Sequence, residues 1–344
     1  MKKPTTVLRS LSSRFSRRLA PSPAVAPWPP VRSAYDRWLA AELDELRADP
    51  LGPTCASAAW LARALGLAST AQRRLVAAAL APAAPGAGIG RKSVDECVED
   101  TAELLDACAG LRDRLELIKG YVSSMRIALH WLEGRGDGAT AARRRTAAAF
   151  AECEAVERRC GAELAKCGSN IRKLGERALV HAKEQHPGGG SAHRHEALAG
   201  ARAAALLAIG ALGVALAFRP RRSVSVGVAP AGGKSGGAVW ECALHETQKH
   251  VKEEYELRRK EGVPCMAELD AAAAATRAVQ SAVASGQECA QSAVAAARRR
   301  CDELEEKVFV LDGKVGELHR ELIGVRMVLL GWSQRARGHQ LLRL

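Results

Sequence analysis

The sequence predicts an all-α protein, an antiparallel bundle of long heptad-patterned helices behind a disordered basic N-terminus. Three observations carry that reading. Aromatics are only 4% of the 344 residues, and the apolar mass is mostly Ala and Leu, the strongest helix formers. Apolar residues recur at alternating steps of three and four over long stretches, which draws one stripe down a helix. Gly/Pro-rich breaks separate those stretches. With 47% hydrophobic and 26% charged residues, the composition excludes a collagen, a mucin-like stalk, wholesale disorder and a polytopic membrane protein.

Taking the elements in order, residues 1–32 contain Pro21, Pro23, Pro27, Pro29 and Pro30, which forbid helix, so this segment reads as disordered. It is rich in Arg and Ser and free of acid, which is also the composition of an organelle transit peptide. Two helical stretches follow, 35–48 and 55–80, parted by a Pro/Gly run. After a second break over 82–90, Ser93 and Glu96 form a capping box. It opens a seam of Cys97, Thr101, Leu104, Cys108, Leu111, Leu115, Ile118, Val122, Met125, Leu129 and Leu132. The steps alternate four and three without interruption, giving a helix about 60 Å long. Cys160, Leu164, Cys167, Ile171, Leu174, Ala178 and His181 repeat the pattern, closing an N-terminal part of the bundle at 33–186.

A Gly/His-rich linker (187–196) leads to a hydrophobic helix (197–218), and a Gly/Pro loop (219–238) leads out of it. The C-terminal helices, 239–333, begin with Trp240, Leu244, Val251 and Tyr255. They end in a third seam: Val294, Ala297, Cys301, Leu304, Val308, Leu311, Val315, Leu318, Leu322, Val325, Leu329 and Trp332. A basic tail (334–344) closes the chain. Gly313, Gly316 and Gly324 lie off this seam, where each costs about 1 kcal/mol relative to Ala, so packing must offset the loss or the helix bends. The seams are expected to pack on one another within the chain at shallow angles. Homo-oligomerisation through the heptad helices is the alternative.

The uncharged stretch 203–218 leaves two readings open. Ala203, Leu206, Leu207, Ile209, Leu212, Val214, Leu216 and Phe218 suit a single membrane span, with Arg202 snorkelling near its end, although about 20 apolar residues are the usual requirement. They suit equally a core helix that is hydrophobic all round.

The net charge of +13 sits in the first 32 residues, in Arg219, Arg221 and Arg222, and in Arg335, Arg337 and Arg343. A surplus in termini and one loop favours a membrane surface or a targeting role over nucleic acid, which wants a basic stripe on a folded face. No pair among the ten cysteines has CxxC spacing and no secretory signal is recognisable, so reduced, buried thiols are expected. His186, His193 and His195 fall in the Gly-rich stretch without paired ligands, so no metal site is expected. The loops 86–93 and 227–235 only approximate a phosphate loop: the second has one residue too many between Gly227 and Gly233-Lys234-Ser235. No nucleophile elbow, zinc-protease motif or paired-carboxylate loop appears. The expectation is therefore no enzyme, no cofactor and one or more unidentified protein partners.

Several stretches resemble a known family. Tyr35 to Ala40 with Ala58 to Leu65 is similar to the opening helices of the plant BYPASS-related proteins. Cys97-Val-Glu-Asp-Thr101-Ala-Glu-Leu104-Leu105-Asp106-Ala-Cys108 resembles that family's D-x-S-x-x-L-L-D-x-C helix, and Leu304 to Leu330 resembles its C-terminal heptads. The resemblance implies a mostly helical regulator of root and shoot development that restrains a root-derived mobile signal, with no established enzymatic activity. Reduced thiols favour an intracellular location, and the expected one is endomembrane-associated or cytoplasmic. The N-terminal composition points instead to a plastid or mitochondrion.

Overall fold

The computed structural model describes residues 33–47, 54–80, 91–133, 140–160, 192–219, 238–285 and 291–341, with Val31 and Leu174. These form α1 (Ala34–Arg47), α2 (Ala58–Leu80), α3 (Arg91–Glu133), α4 (140–160), α5 (Ala192–Ala215), α6 (Val239–Glu261), α7 (Ala267–Ala284) and α8 (Gln291–Leu341). The protein is an all-α bundle, with no strand among the described residues.

Its spine is the pair α3 and α8. Asp95 accepts from Ser333 Oγ at 2.7 Å, the Val98 carbonyl from Arg326 at 2.7 Å, and Asp312 from Lys119 at 3.0 Å. Arg126 reaches Glu305 at 2.7 Å and Arg298 reaches Glu133 at 2.6 Å. Partners climb α3 as they descend α8, so the helices are antiparallel. Most of these ion pairs are surface contacts worth about 0–1 kcal/mol each. The two apolar seams between them supply the adhesion.

At the centre lies α5. It runs antiparallel to α2, where Gln72 Nε2 donates to the Ala201 carbonyl at 2.8 Å. It runs parallel to α3, where Arg114 donates to the Gly213 carbonyl at 3.0 Å. Gly200 is required here, because a Cβ would stand 2.7 Å from Tyr35 Cε1 and 2.8 Å from Leu39 Cδ2 of α1. Tyr121 on α3 donates to Thr276 on α7 at 2.8 Å, and Gln280 on α7 to Glu154 on α4 at 2.6 Å.

Two helix starts are capped by other helices. The Trp240 N–H at the head of α6, whose own N-cap Ala238 offers no side-chain acceptor, donates at 2.9 Å to Asp36 of α1. The Ala58 N–H at the head of α2 donates to Glu268 of α7 at 3.0 Å. Each carboxylate satisfies an amide the helix itself leaves orphaned and sits at the positive end of the dipole. At the other end of α6, Gly262 takes φ 71° and its N–H reaches the Arg259 carbonyl, a left-handed C-cap that suits glycine.

Several boundaries differ from the sequence expectation. α3 starts at Arg91, so Ser93 lies inside its first turn. α5 starts at Ala192, drawing His193 and His195 out of the expected linker into a helix. The last helical region divides into α7 and α8, and α8 continues to Leu341 through most of the expected tail. Most of the second seam, from Leu164 to His181, the segment 1–30 and the loop 227–235 lie outside the described residues.

Candidate functional site

The seam residues singled out from sequence face one another inside the bundle. Leu104, Cys108, Leu111, Leu115, Ile118 and Val122 on α3, and Leu304, Val308, Leu311, Val315, Leu318 and Leu322 on α8, are each 3% exposed or less. They are packing positions. The stretch 203–218 is enclosed as well: Ala203, Leu206, Leu207, Ile209, Leu212, Leu216 and Phe218 are buried and Val214 nearly so. Arg194–Ala215 is long and apolar enough to cross a membrane by length and composition, and in this fold α1, α2, α3 and α6 surround it. Arg202 does not snorkel outward. It pairs with Asp100 at 2.7 Å, with the two side chains 13% and 7% exposed, and donates to the Leu174 carbonyl at 3.3 Å.

That ion pair lines a small cleft among α2, α3, α5 and α8, together with Gln72, Cys97, Thr101, Leu198 and Leu322. The polar groups around it are engaged with the protein: Gln72 with Ala201, Thr101 Oγ1 with the Cys97 carbonyl at 2.6 Å, Arg202 with Asp100. The cluster fixes the register of three helices. Burial pushes the Cys97 thiol up to about 12, so it stays protonated at neutral pH and is a poor nucleophile. Burial does the same to Cys153 and Cys265, pushed up to about 12, and to Cys160 and Cys301, pushed up to about 11.

Among the described residues, one set of side chains could hold a metal ion. Cys55 Sγ, His250 and Glu254 bring ligand atoms within 4.8 Å of one another, the latter two one turn apart on α6. Thiolate, imidazole and carboxylate suit zinc with an open fourth position. In the structure the Cys55 thiol donates to Glu254 at 2.6 Å, an arrangement that already satisfies both groups. Sequence reasoning missed the trio because Cys55 is about 200 residues from its partners and no local spacing marks it.

The outward side of α8 has a different character. Phe309 is 74% exposed and Met327 65%, with Val310 and Ile323 also exposed. They fall in two groups about 20 Å apart along the helix, and exposed apolar side chains of this size are candidates for contact with another molecule. The sequence signal for them was weak: Phe309, Ile323 and Met327 lie opposite the α8 seam, but the positions between Phe309 and Ile323 on that face are Gly313, Gly316 and Arg320.

Against known proteins, a family model described as Protein BPS1 matches residues 87–331, from just before α3 to within ten residues of the end of α8. The chain belongs to the BPS1 family. This is the BYPASS-related family, one of plant developmental regulators and not a known enzyme family. No curated protein and no solved structure matches the chain. The BPS1 match takes in both halves of the α3/α8 spine, the enclosed helix α5 and the exposed apolar side chains of α8, while α1 and α2 precede it.

Proposed function

We propose that this BPS1-family chain is a non-enzymatic regulator of root and shoot development, restraining a root-derived mobile signal by binding other proteins. The single observation that carries the reading is the family match across residues 87–331. The exposed apolar side chains on α8 support binding as the mode of action, since desolvating Phe309 and Met327 against a partner would contribute about 1.5–3 kcal/mol each. The reading places the protein in the cytoplasm or docked on an endomembrane surface. The packing of its hydrophobic helix against α1, α2, α3 and α6 supports that location, since insertion into a bilayer would unpack four neighbours.

The test is complementation of a loss-of-function plant, with grafts to follow the mobile signal. Wild-type protein should restore normal shoots, and mutant roots should arrest a wild-type scion. Phe309→Glu with Met327→Glu should fold normally yet fail to complement. Full complementation by that variant would remove α8 as the working surface, and grafts showing no root-derived effect would remove the signalling role.

A further inference from the structure

Cys55, His250 and Glu254 converge from two distant parts of the chain. Cys55 sits in the turn just before α2 and is 1% exposed. That turn is pinned at three points. The Cys55 carbonyl accepts from the Tyr255 hydroxyl at 3.1 Å, the Ala56 carbonyl accepts from the Ala267 N–H at 2.8 Å, and the Ala58 N–H donates to Glu268 at 3.0 Å. The thiol is therefore held in one place against α6, as a preorganised ligand should be. His250 and Glu254 stand four residues apart on α6. That spacing sets two side chains over the same helix face, and helical zinc sites use it for paired ligands.

Hydrogen bonding within the chain accounts for only part of this arrangement. Cys55 Sγ donates its one proton to the Glu254 carboxylate at 2.6 Å. Glu254 is half-buried, and among the described residues no basic side chain pairs with it. His250 makes no hydrogen bond among the described residues, yet its ligand nitrogen lies within 4.8 Å of both the sulfur and the carboxylate oxygen. A carboxylate drawn partly out of water with no cation beside it is costly, and the three donors stand close enough to share one.

The donor set selects the ion. Sulfur, nitrogen and oxygen together suit zinc, whereas calcium and magnesium take oxygen ligands. Tetrahedral bonds of about 2.0–2.3 Å hold donor atoms about 3.3–3.8 Å apart. The sulfur and carboxylate oxygen would open by roughly 1 Å and the imidazole would swing inward, movements that side-chain torsions of Glu254 and His250 supply. Exposed His250 also gives the ion a path from solvent to the buried sulfur. The alternative use of the trio, a thiol nucleophile, needs the imidazole rather than the carboxylate against the sulfur.

We propose that Cys55, His250 and Glu254 bind one zinc ion, a water completing the tetrahedron, and that the ion staples the turn before α2 to α6. On binding, the Sγ–H bond of Cys55 breaks, the sulfur gives the freed electron pair to zinc, and the proton leaves to solvent; nothing is oxidised or reduced. Because 199 residues separate Cys55 from Glu254, the unfolded chain offers no preformed site, and the ion stabilises the folded bundle. The inference goes beyond the binding role assigned to α8 and does not depend on it.

The test uses the purified full chain, stripped by a chelator and then equilibrated with zinc against a competing indicator of micromolar affinity. Elemental analysis should find one zinc retained per chain. Cobalt in place of zinc should show a near-ultraviolet thiolate charge-transfer band together with the visible bands of a tetrahedral ion. Cys55→Ser should abolish the charge-transfer band, and His250→Ala and Glu254→Gln should each weaken zinc binding about tenfold or more. Cys242→Ser, at a half-buried thiol elsewhere on α6, should change neither. His250 is exposed, so its variant should keep the wild-type helical signal, and its lost affinity cannot come from misfolding. Zinc should raise the melting temperature of wild type and leave that of His250→Ala unmoved. A chain that yields all its zinc to the indicator overturns the proposal. So does a charge-transfer band that survives Cys55→Ser, or a zinc affinity unchanged by His250→Ala, either of which would mean adventitious metal on another thiol.

Discussion

Replacing Arg202 by Met tests whether α5 is docked as described. The methionine keeps the apolar stem and most of the volume but removes the guanidinium. Asp100, 7% exposed, then loses its guanidinium partner in the core, and the Leu174 carbonyl loses the Arg202 donor. Breaking one side of a buried ion pair costs about 3–5 kcal/mol, a third or more of the stability of many domains. Converting both partners to apolar residues is a different experiment. Arg202→Met with Asp100→Leu leaves no stranded charge, and such replacements are often neutral or stabilising by about 1–4 kcal/mol. Urea unfolding followed by far-ultraviolet circular dichroism should place the single variant several kcal/mol below wild type. The double variant should lie at or above it. A single variant within about 0.5 kcal/mol of wild type, the range of ordinary surface changes, would show that Arg202 faces solvent or lipid and that α5 does not pack as described.

Three further outcomes follow from the same packing. Leu111→Ala, fully buried on the α3 seam, should cost about 2–5 kcal/mol, and Leu111→Asp more; an unchanged melting temperature for either would mean the seam is not in the core. Because burial raises Cys160 and Cys301 to about 11 from 9.0, their contribution to stability is complete below pH 9 and lost as pH rises towards 11. The unfolded chain sheds those protons first, at about 1.4 kcal/mol per pH unit per thiol, so the urea midpoint should fall between pH 9 and 11, and a flat profile would contradict the burial. Tagged protein should be released into the supernatant by carbonate extraction, since the apolar faces of α5 are already covered; retention in the membrane pellet would mean that the helix leaves the bundle.

Much of the architecture was legible because its cause is local in sequence. The alternation from Cys97 to Leu132 and from Val294 to Trp332 is a physical requirement of two helices lying along each other, so the pattern declares the helices and the burial together. Composition could not separate core from membrane for 203–218, because both environments demand the same uncharged residues. What the sequence withheld depends on distance. Asp36 caps α6 and Glu268 caps α2 across more than 200 residues, and Asp100 meets Arg202 across about a hundred. No spacing rule reaches that far. The division between α7 and α8 was readable in Ser285-Gly286, a turn signal overshadowed by the strong seam beyond it. The exposed apolar side chains of α8 were overlooked for a similar reason: one clear stripe drew the reading away from an opposite face that Gly313, Gly316 and Arg320 interrupt.

The borrowed caps also bear on how the polypeptide matures. The head of α2 waits for Glu268, about 210 residues downstream, so it cannot be completed while the ribosome is still midway through the message, whereas Asp36 is made first and waits for the head of α6. During synthesis the apolar sides of α1 and α2 emerge long before Glu268 and the helices that cover them, a long-range topology that folds late and keeps greasy surface open to chaperones. A fragment cut to the boundaries of the family match would lack α1, α2 and the Asp36 anchor for α6. Expression of that piece alone should yield aggregates, and co-expressing the missing N-terminal helices as a separate polypeptide is the natural way to recover a soluble whole.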